Sequence, residues 1–263
     1  MDVIVEYLIS NVEIFFLSIV RISGMLVLAP VFSRREIPVP VRVWFGVLIA
    51  FVMLPGNILN HITETEGFFS LALYAINEFF IGLTLGFVAF TFISAMFLAG
   101  RMIDTQMGFG MVNVFDPQTN VQIPVMSNFY NIFLILLFLI LNGHHMLIKA
   151  LKFSFERVPI GLSITFDSVF IERFVEVYVQ FFVLAFQFSA PVIATIFLAN
   201  VLFGVLARTM PQMNIFVVGL PLIIGIGFIT VIVSLQFFVP FSQNLFDIMF
   251  DSIREIIIIL SRG

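Results

Sequence analysis

Long apolar runs separated by short polar turns dominate the chain. They cover roughly 12–32, 41–59, 71–100, 127–148, 175–207 and 215–241. The runs are continuous, without the in-and-out alternation of a barrel strand, and about 20 apolar residues suffice to cross a bilayer as a helix. The pattern predicts an all-α membrane protein with about six apolar helical segments and, most simply, six crossings. Pro191 lies near the middle of the fifth run and Pro221 six residues into the sixth. Each removes a backbone donor, so several helices are expected to be kinked or broken by proline. Residues 1–263 read as a single helical subunit. It would carry a hinged loop at 106–124 and an amphipathic tail at 242–263, where charges alternate with Ile and Phe.

Composition strengthens the membrane reading. Of 263 residues, 61% are hydrophobic and 11% charged, with mean hydropathy +1.15. Soluble domains carry about 25% charged residues, and a chain this apolar would expose large sticky patches in water. The net charge is -4 and no basic block occurs, which argues against nucleic acid as a partner. The N-terminus, Met1-Asp-Val-Ile-Val-Glu6, is acidic where a secretory leader is positive, so the first apolar run is expected to be retained.

Catalytic patterns do not emerge. The chain has no Cys, hence no disulfide, thiolate nucleophile or Cys-based metal site. No G-x-x-x-x-G-K-[ST] occurs, and the only lysines, Lys149 and Lys152, follow no glycine loop. The histidines, His61, His144 and His145, have no metal-site spacing, and no serine sits in G-x-S-x-G. No enzyme, cofactor or metal is expected.

The basic residues are spread evenly. Six crossings would put 6 Lys and Arg on one side and 5 on the other, whereas ordinary polytopic proteins are clearly biased. The helices are therefore expected to pack mainly against other protein. Within them, Arg21 sits in the first run, where a charge costs about 2.5–3.5 kcal/mol at the bilayer centre, so it should snorkel or pair with a carboxylate. Asn77-Glu78 opens the third run just before Gly82-x-x-x-Gly86, a spacing that permits close helix approach. Glu78 is expected to be an interhelical anchor, with a proton site as the alternative. Arg101 and Asp104, three apart, read as a local ion pair.

Two loops stand out. In Gln106–Pro117, Gly108 and Gly110 free the backbone while Phe109, Met111, Val114 and Phe115 present apolar bulk. The segment is either a loop tucked into the core or a movable stopper, since apolar constrictions close wet passages by dewetting. The turn Arg208–Phe216 packs a charge, Pro211, Gln212 and Asn214 between two apolar runs. Such groups need satisfaction there, so the turn is expected to fix helix ends or grip a neighbour.

Several motifs occur together in one order: Arg21-Ile-Ser-Gly24, Ala29-Pro-Val-Phe32, Asn77-Glu78 with Ile81-Gly82, Asp104-Thr-Gln-Met-Gly108, Phe115-Asp-Pro117, Asn142-Gly-His144, Pro159-Ile-Gly161 and Arg208-x-x-Pro-Gln-Met-Asn-Ile-Phe216. In this the chain resembles the FliR family, the flagellar biosynthetic export-gate proteins of type III secretion, along almost its full length. The resemblance implies a subunit in the bacterial inner membrane, at the flagellar basal body. It implies a hetero-oligomer with FliP and FliQ, contact with FlhB, and passage of unfolded flagellar proteins. It also maps the family's plug loop onto Phe109 to Phe115, and implies helices held in an assembly raised out of the normal bilayer plane. Two alternatives remain at this point. One is the injectisome homologue, which shares the Pro-Gln-x-Asn turn. The other is a proton-coupled secondary transporter of small solutes using Glu78 and Asp104.

Overall fold

A computed structural model describes residues 12–34, 36–53, 68–109, 124–161, 167–210 and 215–261. The helices are α1 (Val12–Leu28), α2 (Val39–Met53), α3 (Phe68–Gln106), α4 (Val125–Ile140), α5 (Gly143–Arg157), α6 (Ser168–Thr209), α7 (Ile215–Ser234) and α8 (Phe238–Leu260). A 3₁₀ turn, Leu235–Phe237, joins the last two, and no strand occurs among the described residues. The protein is all-α, and each of the six apolar runs supplies a helix.

The crossings differ from the simple count of six. Among the described residues, three stretches are long and apolar enough to cross a membrane: Phe69–Gln106, Ser168–Thr209 and Val217–Leu260. A fourth arises if α4 and α5, broken at Asn142, count as one span. The described helices α1 and α2 have 17 and 15 residues. At about 1.5 Å per residue both fall short of a hydrocarbon core about 30 Å thick. Conversely α3 and α6, with 39 and 42 residues, reach about 60 Å. Pro191 and Pro221 lie inside α6 and α7, and both helices run on through them. The interruptions fall at Asn142, with φ 59, and at the 3₁₀ turn. Residues 242–260 make up most of α8, which buries Ser242, Leu245, Met249, Ile253, Ile256 and Leu260 along one stripe.

The chain forms two compact units. The first takes residues 1–91, 141–178 and 247–263. Its interior includes Leu17, Ile22, Met25, Ile81, Leu85, Val88, Leu147 and Leu151, all nearly sealed from solvent. Here α1 and α2 meet at Gly46, which faces Leu26 and Ile22, and in the turn after α1 the ring of Phe32 stacks on Phe45 of α2. The second unit takes residues 92–140 and 179–246. Its centre is aromatic: the Tyr130 ring lies 4.9 Å from Phe188 and 5.7 Å from Phe238, in edge-on and stacked arrangements.

Burial divides the long helices by role. The apolar window of α3 is 61% buried, whereas those of α6 and of Val217–Leu260 are 17% buried. Thus α3 is interior, while α6 and α7 turn large apolar side chains such as Phe182, Phe186, Leu202 and Ile229 outward.

Candidate functional site

Three motifs far apart in sequence meet in the first unit. Arg21 on α1 and Glu78 on α3 are both completely buried and form an ion pair, Nε to Oε2, of 2.5 Å. The rest of the guanidinium faces the C-terminus of α5. Its Nη1 donates to the carbonyls of Ser154 (3.1 Å) and Val158 (3.0 Å), and Nη2 to Val158 (3.0 Å). Helix C-terminal carbonyls carry partial negative charge and suit a cation, even where, as at Ser154, one already accepts the Val158 N–H (2.9 Å). The ring of Phe155 lies 4.6 Å from the guanidinium carbon. The second oxygen of Glu78 accepts from the Gly161 backbone N–H at 3.1 Å. Gly161 has φ 88, so the Pro159-Ile-Gly161 turn suits a residue without Cβ and delivers that N–H. Each charge is thereby matched and hydrogen-bonded, the condition under which burial is tolerable.

Glycines set the spacing. A Cβ on Gly82 would collide with the Arg21 carbonyl oxygen, one on Gly24 with the Phe79 carbonyl oxygen, and one on Gly86 would lie 2.5 Å from the Met25 carbonyl oxygen. The α1 and α3 backbones touch directly, which brings Arg21 within reach of Glu78.

A second anchor lies in the other unit. Asp104, near the end of α3, accepts from the Met126 N–H (2.8 Å), the Ser127 N–H (3.1 Å) and the Ser127 hydroxyl (2.9 Å). It thus caps the N-terminus of α4 from another helix, satisfying donors that have no partner within α4. The expectation of an ion pair with Arg101 is corrected here. Both Asp104 oxygens are engaged by residues 126 and 127, and among the described residues no ion pair links Arg101 to Asp104. Arg101 is half-buried. One turn earlier, Gly100 lies against the backbone of Met126 and Ser127, an approach a side chain would block.

Asp104→Ala is expected to cost about 1–3 kcal/mol, since it strands buried donors. Asp104→Asn should cost less, because one amide oxygen still accepts. Arg101→Ala should barely move the unfolding midpoint of the purified protein. An Arg101 effect equal to that of Asp104→Ala would reinstate the ion pair.

The apolar loop begins where α3 ends. Gly108, with φ 82, turns the chain out of the helix, and Met107 is fully buried beside it. Phe109 lies edge-on to Phe228 of α7, with centroids 6.2 Å apart. Met111, Val114 and Phe115 lie outside the described residues. So do Pro211, Gln212 and Asn214; Arg208 is exposed in the last turn of α6. Sequence reasoning singled out Arg21, Glu78, Gly82 and Asp104 but missed their backbone partners at 126–127, 154, 158 and 161. It also missed Gly100, whose one available signal is its place four residues before Asp104.

These anchors fall on the segments that relate the chain to known proteins. The model of the family described as bacterial export proteins, family 1, matches residues 12–249. A protein of Bacillus subtilis (strain 168) called flagellar biosynthetic protein FliR is 34% identical over 245 residues, covering 92% of this chain and 94% of its own. Proteins of the same name in Pectobacterium carotovorum subsp. carotovorum and Escherichia coli (strain K12) are 33% and 29% identical. They cover 97% and 96% of this chain, and 96% and 95% of their own lengths. With its helices matched nearly from end to end, the chain belongs to the bacterial export proteins, family 1.

Proposed function

We propose that the protein is the FliR-type subunit of a flagellar type III export gate in the bacterial inner membrane. It assembles with FliP and FliQ into a channel, contacts FlhB, and passes unfolded flagellar proteins. The loop 106–124, with Phe109, Met111, Val114 and Phe115, acts as an apolar plug against leakage. The turn holding Arg208, Pro211, Gln212 and Asn214 fixes helix ends and neighbouring subunits. The near end-to-end kinship with relatives called flagellar biosynthetic protein FliR carries this reading. It also favours the flagellar over the injectisome system.

The long outward helices support the assembly. α6 is about twice as long as the hydrocarbon layer is thick and exposes apolar side chains from Val169 to Leu206. Even at an ordinary tilt of up to about 40° a hydrocarbon core cannot cover that length, and neighbouring protein helices can. A proton-coupled transporter would need a carboxylate free to exchange its proton. Glu78 and Asp104 are both held by donors, which weighs against that class.

The test is a mass measurement of the particle extracted in detergent, with identification of its other chains. A large hetero-oligomer containing FliP and FliQ is expected. A stable, solute-binding monomer or small homo-oligomer would overturn the reading.

A further inference from the structure

We infer that the groove between α5 and the charged half of α8 binds a zwitterionic phospholipid, one whose headgroup carries a phosphate and a primary ammonium. Such a site needs only a helical membrane protein and stands apart from the export-gate reading above.

Both walls present residues at helical spacing. α5 contributes Met146, Lys149, Ala150 and Phe153. α8 contributes Asp247, Phe250, Asp251 and Arg254. In each set the members stand three, four and seven positions beyond the first, and so share one helix face. All of them belong to the first unit. The cavity they enclose measures about 820 Å³, inside the range of roughly 300–1,000 Å³ usual for small-molecule sites.

The chain places this groove at a membrane boundary. Residues 117–148 and 209–246 contain no Asp, Glu, Lys or Arg, and the next residues, Lys149 and Asp247, both line the groove. Charge at the bilayer centre is costly, so an apolar chain leaves hydrocarbon by its first charges. α5 suits that level, burying Leu147, Leu151 and Phe155 while it exposes Lys149, Lys152 and Glu156. Phe153, Phe250 and Ile257 give the groove apolar surface against which acyl methylenes can lie.

Its charges select the headgroup. The lining holds three cations, Lys149, Lys152 and Arg254, and three anions, Glu156, Asp247 and Asp251. Lys152 and Glu156 face each other at 3.8 Å on the exposed rim, which leaves two charges of each sign. None of those four forms an ion pair among the described residues. Arg254 instead lies over the Phe153 ring, 5.9 Å from its centroid. A pocket for anionic lipid carries an excess of basic residues. Here the signs balance, which matches a molecule bearing both charges a few bonds apart. Its phosphate lies against Lys149 and Arg254. Its ammonium donates to Asp247 and Asp251, one helical turn apart. A quaternary ammonium has no N–H to donate and fits less well.

The experiment adds phosphatidylethanolamine, phosphatidylglycerol or phosphatidylcholine to the delipidated particle in detergent and counts retained lipids by native mass spectrometry. Phosphatidylethanolamine should be retained several-fold better than the other two. Asp251→Asn should lose most of that preference and favour phosphatidylglycerol, because the balance of charge becomes positive. Glu172→Gln makes the same charge change on an exposed residue of α6 away from the lining, and should keep the preference. Lys149→Gln should weaken both phosphatidylethanolamine and phosphatidylglycerol. Equal retention of all three lipids, or Asp251→Asn indistinguishable from Glu172→Gln, would overturn the site. If Asp251→Asn is not recovered, Asp247→Asn takes its place with the same two outcomes. A photoreactive side chain at position 150 settles the occupant in native membranes: labelled phospholipid supports the site, and labelling of another protein chain refutes it.

Discussion

Glu78→Ala is expected to remove about 3–5 kcal/mol of stability, enough to deplete the folded protein, because it leaves a buried guanidinium without its counter-charge. Arg21 is fully enclosed and cannot reach water. Its remaining partners are the carbonyls of Ser154 and Val158 and the ring of Phe155, none of which carries a full negative charge. The change also strips the Gly161 N–H of its acceptor and so loosens the turn after α5. Glu78→Gln should fall between the two, because an amide oxygen can still accept from Gly161 but brings no charge to Arg21. Replacing both charged residues, Arg21→Leu with Glu78→Leu, should cost much less than the sum of the two single changes, since neither then leaves a buried charge unpaired. The measurement is a double-mutant cycle on the unfolding midpoint of the detergent-purified complex. Additive single effects would mean that the pair is not coupled as its geometry requires.

Helix content was legible because hydropathy reports what lipid or a protein core demands, and every apolar run carries a helix. The ends were less legible. α3 continues through Arg101 to Gln106, past the end of its apolar run, because the carboxylate of Asp104 finds donors on α4. A hydropathy window registers that carboxylate as a cost and cannot see Met126 and Ser127 satisfying it. The C-terminal segment from 242 reads as an amphipathic tail because its charges break the apolar run. Yet no glycine interrupts 234–260, and the helix carries on from α7 with one 3₁₀ turn between. The site was half legible. A lone arginine in an apolar run demands a partner, but Glu78 is 57 residues away and nothing local selects it. The carbonyls of Ser154 and Val158 are backbone atoms that any sequence would provide. For Arg101 and Asp104, spacing was a poor guide, because three residues of separation allow an ion pair without outbidding three better-placed donors.

Gly82→Val should be more damaging than loss of either charge alone, because its obstacle is backbone. A Cβ at this position meets the carbonyl oxygen of Arg21, and that oxygen belongs to α1, which would have to move as a body. Overpacking a well-filled core typically costs about 1–3 kcal/mol when side chains can adjust. Here the strain separates α1 from α3 at the level of the ion pair, since Glu78 lies one turn before Gly82 on the same face. Part of the roughly 3–5 kcal/mol that follows from uncoupling Arg21 and Glu78 is then added to the packing strain. Even Gly82→Ala should abolish most assembled complex, although alanine is the better helix former by about 1 kcal/mol. At Gly225, where a Cβ meets nothing within 4 Å, the same substitution should leave stability unchanged or slightly raised. Complex yield and unfolding midpoint for the two alanine variants, measured side by side, give opposite signs if backbone contact between α1 and α3 sets the spacing. Tolerance of alanine at 82 would show that the two helices can part without releasing Arg21.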